Sequence, residues 1–217
     1  MPTYHQTRYT PPPGALDLLL IRHGASAAYT GTPFALVDGH GDPPLAPEGQ
    51  EQATLVGSRL ATMGIDAVYV TNLCRTEQTA APYVSLSGLR VNVEPDLREV
   101  FLGEWEGGLL RERFAVGDPV SVKVLESERW DEIPGAEPAA AFSARLRSAV
   151  LRIASAHPGQ RVAAFTHGGV IAELLHQASG SRPFAFAGAE NASISEIILT
   201  GDRWSVRRFN DTAHLAF

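Results

Sequence analysis

Cysteine is nearly absent from this sequence, because Cys74 is the only one in 217 residues. A single cysteine excludes an internal disulfide and a cysteine-rich metal site, and it is typical of proteins in a reducing compartment. The first 14 residues are polar, contain three successive prolines and lack the apolar centre of a signal peptide. We therefore expect a cytoplasmic protein with an irregular N-terminal arm over 1–14.

Basic residues and long apolar runs are also scarce. Lys and Arg number 18 against 24 Asp and Glu, which gives a formal charge of -6. Proteins that bind nucleic acids in general need a face rich in Lys and Arg, so we expect no nucleic-acid partner. No apolar run is long enough to cross a bilayer, so we expect no membrane partner. A small molecule is the partner that the composition leaves, and a homodimer stays open because the proline-rich arm could pack on a neighbour.

Short, nearly all-apolar segments indicate strands that are buried on both faces of a sheet. They are 16–21, 66–71 and 161–166. Helical patterns alternate with them at 47–63, 75–85, 137–155 and 170–179. This alternation predicts the α/β class, with a mostly parallel central sheet and helices on both faces. Two last strand-like runs, 194–199 and 204–209, predict an antiparallel hairpin at the sheet edge.

A length of 217 residues suits one domain around a single core, which we predict over 15–217. A mixed segment at about 104–136 is rich in glycine and proline, and we predict that it is an insertion over the active site. Substrate specificity is expected to come from this segment. The polar and aromatic candidates in it are Arg111, Arg113, Lys123 and Trp130.

Residues suited to a phosphate follow each of the three buried strands. Arg22-His23-Gly24 follows the first, Arg75 the second and His167-Gly168-Gly169 the third. The carboxyl ends of parallel strands share one edge of a sheet, and ligands bind there. We therefore predict that two arginines and two histidines meet in one anion pocket.

The chemistry of these side chains is consistent with phosphoryl transfer. Two guanidinium groups can hold phosphate oxygens in a fixed orientation. A neutral imidazole is a nucleophile near neutral pH, since its usual pKa is about 6.5, and the neighbouring Arg22 disfavours protonation of His23. The glycines after each histidine are expected to let the backbone approach the ligand and offer it N–H groups. By itself, His23 would be interpreted as a buried structural histidine, and the adjacent Arg22 reverses that interpretation. By itself, Arg75 would be interpreted as a surface arginine at a helix N-terminus.

A proton donor for the leaving oxygen is also needed, and one carboxyl group can serve as acid and then as base. Asp96, Glu99, Glu104 and Glu106 are all candidates, and spacing does not choose among them. A metal site built on His23 and His167 is disfavoured, because the flanking arginines would repel the cation. A cysteine phosphatase is disfavoured as well, because Ala80 stands where the arginine six positions after Cys74 would be required. The nucleotide-binding P-loop pattern is absent.

An ordered set of motifs from about Leu16 to Leu215 resembles the histidine phosphatase superfamily. The resemblance is to the branch of cofactor-dependent phosphoglycerate mutases and bacterial broad-specificity phosphatases. The motifs are Leu20-Ile21-Arg22-His23-Gly24-Ala25-Ser26, Pro44-Leu45, Gly49, Gln52-Ala53, Arg75, Thr79-Ala80, Leu97-Arg98-Glu99, Gly103-Glu104-Trp105-Glu106-Gly107, Thr166-His167-Gly168-Gly169 and Asn191-Ala192-Ser193.

The resemblance implies a role for each matched position. His23 would be the phosphorylated histidine, Arg22, Arg75 and His167 would hold the phosphoryl oxygens, and Glu99 would be the proton donor. It also implies a three-layer fold around a mixed sheet, with no metal and no other cofactor.

Two departures from the mutases favour a phosphatase. Ala25 and Tyr29 stand where the mutases carry a glutamate and an asparagine. We therefore expect a metal-independent phosphoric monoester hydrolase of the histidine acid phosphatase type, acting on a small phosphate ester through phospho-His23. The alternatives are phosphoryl transfer of the mutase kind and a phosphate-ligand binding or regulatory protein without turnover.

Overall fold

A central mixed sheet organises the computed structural model, which describes residues 3–215. The strands in this part of the chain are β1 (Leu16–Arg22), β2 (Leu36–Val37), β3 (His40–Gly41), β4 (Ala67–Val70), β5 (Val91–Val93), β6 (Arg161–Thr166), β7 (Ile194–Thr200) and β8 (Arg203–Asp211). Six of them form the sheet in the order β5-β4-β6-β1-β7-β8, and β2 pairs with β3 in a separate ribbon. The predicted hairpin is confirmed as β7 and β8, with β8 at the edge.

The pairing within the sheet is mostly parallel on one side and antiparallel on the other. Strand β6 runs parallel to both β1 and β4, and β4 runs parallel to β5. Strand β7 is antiparallel to β1 and to β8. Parallel neighbours such as β1 and β6 end at the same edge of the sheet, which brings the residues that follow them together.

Helices cover both faces of the sheet. The α-helices of the described residues are α1 (Pro47–Leu60), α2 (Cys74–Ser87), α3 (Leu109–Ala115), α4 (Pro119–Ser127), α5 (Ala139–Ala156) and α6 (Gly168–Ser179). Strand β1 shows how the layers form, because successive side chains of a strand point to opposite faces. Leu18 and Leu20 pack in the core with α5 and α6, while Leu19 and Ile21 pack with α1 and α2. The predicted three-layer α/β fold is confirmed.

The segment predicted as an insertion folds into short helices with a small core of its own. Besides α3 and α4 it contains single 3₁₀ turns at Gly103–Gly108 and Trp130–Glu132. Trp105, Val124 and Ile133 are buried against one another. The segment is joined to the β2–β3 ribbon, where the Gly41 N–H donates to the Glu106 carboxylate at 2.7 Å. That it is an insertion into the domain stays a prediction.

The N-terminal arm has no helix or strand over 3–14, the part of it that the structure describes. The Arg207 guanidinium of β8 lies over the Tyr9 ring, 3.8 Å from its centroid, and so the arm contacts the sheet edge. Positions 1–2 of the predicted arm and 216–217 of the predicted domain lie outside the described residues. No helix within 3–215 is both long and apolar enough to span a bilayer.

Candidate active site

Two histidines meet at the carboxyl ends of β1 and β6. His23 follows β1 and His167 follows β6, and the backbone N–H of His23 donates to the Thr166 carbonyl at 2.9 Å. The two ring centroids lie 5.3 Å apart with the planes at 60°. His23 is 7% exposed and His167 is completely buried. The parallel register of β1 and β6 therefore produces the predicted approach of the histidines.

The protonation of His23 is fixed by its own loop. Its Nδ1 lies 2.8 Å from the Gly24 carbonyl oxygen, which can only accept, so Nδ1 carries the ring proton and Nε2 keeps a lone pair. Burial lowers the pKa of His23 well below its usual value, and the charges of Arg75 and Arg22 lower it further. The imidazole is thus neutral near neutral pH, as a nucleophile requires.

Three arginines line the cavity into which His23 opens. This cavity, called the polar cavity below, has a volume of about 380 Å³, and its charged and polar lining includes Arg22, His23, Arg75, Glu99, Glu106, Arg111 and Asn191. Burial lowers the pKa of Arg22 and Arg75, and for both of them Glu99 is the strongest opposing charge. Buried guanidinium groups are costly unless they are paired with an anion. The cavity is therefore suited to a phosphate.

Each arginine of the predicted site is oriented by a backbone carbonyl. Arg75 lies in the first turn of α2, donates to the Gly41 carbonyl at 2.9 Å and has the Asp42 carboxylate 3.6 Å away. Arg22 donates to the Ala189 carbonyl, and its buried Nε has no partner among the described residues. Both guanidinium groups thus retain N–H groups for a ligand.

His167 occupies a different position from the other predicted residues. Arg22, His23, Arg75 and Glu99 all line the polar cavity, whereas His167 is fully buried beside the His23 ring and does not line it. Within residues 3–215 its Nδ1 has no hydrogen-bond partner. The structure therefore brings all five predicted residues to one place, with His167 innermost.

The four candidate proton donors differ in position. Asp96 and Glu104 do not line the polar cavity, while Glu99 and Glu106 both do. The oxygens of Glu106 accept short bonds from the backbone of Gly41, at 2.7 Å, and Leu102, at 2.9 Å. The oxygens of Glu99 likewise accept from the backbone N–H groups of Val100, at 3.0 Å, and Gly169, at 3.2 Å. Position thus leaves Glu99 and Glu106 as candidates, and Glu99 as the proton donor stays a prediction.

The expected role of the glycine N–H groups is wrong for two of them. The Gly24 N–H donates to the Thr79 hydroxyl at 3.0 Å, and the Gly169 N–H donates to Glu99, so neither is free for a ligand. These glycines allow close packing within the protein instead. A Cβ on Gly24 would lie 2.5 Å from the Gly49 carbonyl oxygen, and a Cβ on Gly169 would lie 2.5 Å from Oε1 of Glu99.

The segment expected to set specificity contributes Arg111 to the polar cavity. Arg111 is held there by bonds to the Ala27 carbonyl at 2.6 Å and the Ser26 hydroxyl at 2.7 Å. Arg113 instead pairs with Asp118 at 3.1 Å and does not line this cavity, and Lys123 is exposed. Although both arginines belong to α3, only Arg111 faces the polar cavity.

Asn191 has a contact that sequence reasoning did not assign. Its side-chain amide donates to the His23 carbonyl at 2.9 Å, so it helps to fix the loop that holds the imidazole. The only signal for it in the sequence was the motif Asn191-Ala192-Ser193, which carried no role.

The fold and this cluster define an α/β protein with an arginine-lined, histidine-containing anion site at the carboxyl ends of its strands. The chain belongs to the histidine phosphatase superfamily (branch 1), whose family model matches residues 18–212. The resemblance drawn from the motifs is confirmed.

Relatives of known name cover most of the chain. It is 32% identical over 206 residues to phosphoglycerate mutase-like protein 4 of Arabidopsis thaliana, with 92% of this chain and 86% of the relative covered. It is 29% identical to a metal-independent phosphoserine phosphatase of the same plant, with 92% and 83% covered. Among solved structures, mycobacterial glucosyl-3-phosphoglycerate phosphatase matches with a TM-score of 0.77 and 25% identity, covering 91% of this chain and 100% of that one.

Proposed function

We propose that this chain is a metal-independent phosphomonoesterase that hydrolyses a small phosphate ester through a phosphohistidine on His23. The observation that carries the proposal is the bond from Nδ1 of His23 to the Gly24 carbonyl, within a cavity lined by three arginines. Because the ring proton is on Nδ1, Nε2 is the ring nitrogen with a free lone pair and is therefore the nucleophilic atom.

In the first step Nε2 of His23 attacks the phosphorus, and the bond from phosphorus to the ester oxygen breaks. Glu99 gives its proton to that leaving oxygen, so that a neutral alcohol departs. Arg22, Arg75 and His167 hold the phosphoryl oxygens and stabilise the charge that develops on them. The phosphorylated ring is cationic, and its Nδ1–H remains bonded to the Gly24 carbonyl.

In the second step water replaces the alcohol. The Glu99 carboxylate takes a proton from the water, the water oxygen attacks the phosphorus, and the bond to Nε2 breaks. Inorganic phosphate leaves and His23 regains its lone pair. One carboxyl group therefore serves as acid and then as base.

Two observations support the acid phosphatase type and independence from metals. Burial, Arg75 and Arg22 hold the pKa of His23 well below its usual value, so the free enzyme keeps a neutral nucleophile into the acidic range. Three arginines supply the positive charge that a metal ion would otherwise bring to the phosphoryl group, and they would repel a cation.

Phosphoryl transfer of the mutase kind is the second candidate, and the mutase-like relative favours it. Hydrolysis is supported by Ala25 and Tyr29, which replace residues that the mutases use, and by two relatives named as phosphatases. Incubation with phosphoglycerate and a trace of its bisphosphate separates the two. We expect release of phosphate without isomerised product. If isomerisation dominates, the protein is a mutase.

The decisive test is a screen of phosphate esters with and without a chelator, on the wild type and His23→Ala. We expect phosphate release that the chelator does not change, and an acid-labile phosphoenzyme that only the wild type forms. His157→Ala is the matched control, because His157 bonds Tyr69 and Gln160 and does not line the polar cavity. If the protein binds phosphate esters tightly but hydrolyses none of them, it is a binding protein instead.

A further inference from the structure

A second cavity adjoins the polar cavity. It has a volume of about 240 Å³ and shares Arg22, Glu99, Val100, Leu102 and Leu110 with the polar cavity. Apart from Arg22 and Glu99, this cavity, called the apolar cavity below, is lined by apolar side chains and small residues. Trp130 and Phe184 are the large side chains that line the apolar cavity and not the polar one.

We propose that this apolar cavity holds the leaving group of the substrate, so that the substrate class is phosphate monoesters of alcohols that carry an aromatic or compact apolar group. The inference rests on the proposed function, because it depends on where the leaving oxygen lies. Glu99 gives that oxygen its proton, and Glu99 stands on the boundary of the two cavities. The phosphoryl group therefore faces the arginines, and the carbon part extends past Glu99.

The size of the cavity suits an aromatic ring. An apolar cavity of about 150 Å³ is enough to bind benzene, and this one measures about 240 Å³. Trp130 and Phe184 line it with their ring centroids 5.1 Å apart and the planes at 40°. Such ring surfaces add geometric preference to the burial of a substrate ring.

The lining of the apolar cavity disfavours charged leaving groups. Arg22 and Glu99 are the only charged side chains that line this cavity within residues 3–215, and the proposed reaction engages both of them. An ammonium or carboxylate group placed there would lose its water without gaining a partner. A phosphoserine side chain thus fits the apolar cavity poorly, whereas a phenyl or cyclohexyl group fits it.

The cavity has an entrance that can be altered without touching the core. Ala187 and Gly188 line it and are exposed. Ala185 lies two residues earlier in the same loop, is also exposed and lines neither cavity. Ala187→Leu and Ala185→Leu therefore form a matched pair.

The test compares kcat/KM for 2-phenylethyl phosphate and ethyl phosphate, whose leaving oxygens are similarly basic, with phosphoserine as the polar substrate. Burial of a phenyl ring predicts a preference of about tenfold to a hundredfold for the phenylethyl ester over the ethyl ester. Ala187→Leu should reduce this preference severalfold, and Ala185→Leu should leave it as in the wild type. Equal kcat/KM values for the two esters, a preference for phosphoserine, or equal effects of the two substitutions would each overturn the inference.

Binding of phosphonates distinguishes this inference from the proposed function. Calorimetry with 2-phenylethylphosphonate and ethylphosphonate measures the apolar cavity without any turnover. Tighter binding of the phenylethyl compound that Ala187→Leu weakens, in a protein that hydrolyses no ester, would refute the hydrolase and keep the ligand class. Hydrolysis of esters by a protein that binds the two phosphonates equally tightly would keep the hydrolase and refute the ligand class.

Discussion

Nε2 of His167 lies 3.2 Å from the hydroxyl oxygen of Thr71, and both residues are buried. The Thr71 hydroxyl also lies 3.0 Å from that of Thr76, which is 2.8 Å from the Leu73 carbonyl. Because a carbonyl only accepts, the Thr76 proton is committed to Leu73. Thr71 is therefore left with one proton to give either to Thr76 or to His167.

The direction of the Thr71 hydrogen bond decides which nitrogen of His167 carries the proton and can donate to a phosphate. If Thr71 donates to Nε2, the ring proton is on Nδ1, the buried nitrogen without a partner among the described residues. His167 can donate to a phosphoryl oxygen from that nitrogen only in this tautomer. We therefore expect Thr71 to act as a positioning residue for His167 in the proposed reaction.

We expect Thr71→Val to lower the rate of phosphoenzyme formation about tenfold, because one buried hydrogen bond is worth about 1 to 2 kcal/mol. Thr71→Ser keeps the hydroxyl and should restore most of the rate. Nitrogen-15 NMR of the His167 ring reports its tautomer, which would not change if Thr71 had only a structural role. A tautomer unchanged by Thr71→Val would remove the basis for this role.

Gly169→Ala should damage catalysis while sparing stability. The added Cβ would lie 2.5 Å from Oε1 of Glu99, the mobile end of a side chain, so the carboxyl group moves rather than the backbone. Displacement of an acid and base group predicts a fall in kcat of about a hundredfold. Unfolding free energy should stay within about 1 kcal/mol of the wild type, since alanine favours helix over glycine.

The same substitution in a Glu99→Gln background provides the control. With the carboxyl group already removed, Gly169→Ala should cause little further loss of kcat. A full additional loss would mean that Gly169 acts through something other than Glu99.

Arg111→Met should raise KM for a phosphate ester about threefold to tenfold at low ionic strength, because a charge facing the polar cavity is lost. The side chain is exposed, so the difference should shrink at about 1 M salt, where the screening length is about 3 Å. Arg113→Met is the matched control on α3, since Arg113 pairs with Asp118 outside the cavity. The same rise in KM for both variants would show that the effect depends on the net charge of α3 and not on the position of Arg111 at the cavity.

The buried histidines make stability depend on pH below the usual value of about 6.5. Burial and the neighbouring arginines lower the pKa values of His23 and His167, so the unfolded chain takes up protons there that the folded protein does not. Stability therefore falls as pH falls through this window. For each histidine the loss between about pH 6.5 and 5.5 is about 1 kcal/mol.

Urea denaturation at the two pH values checks this sign and size. His23→Gln cannot take up the proton, so its free energy of unfolding should fall about 1 kcal/mol less than that of the wild type over the same interval. Equal falls in the two proteins would contradict a depressed pKa for His23.

Much of the fold was readable from the sequence by itself. Apolar runs of strand length and helical periods predicted β1, β4, β6, β7 and β8 and the four helices that cover the sheet, and the family followed from motifs in order. The meeting of His23 with His167 was predictable as well, because parallel strands end at one edge of a sheet whatever their exact packing.

Tertiary structure alone decided which residue of the predicted insertion faces the site. Arg111 and Arg113 are alike in sequence, yet only Arg111 lines the polar cavity. Strand and helix periods are local properties of a chain, whereas distances between side chains depend on how remote segments pack. The apolar cavity illustrates the point, because Leu102, Trp130 and Phe184 come together from three separate segments that no local pattern relates.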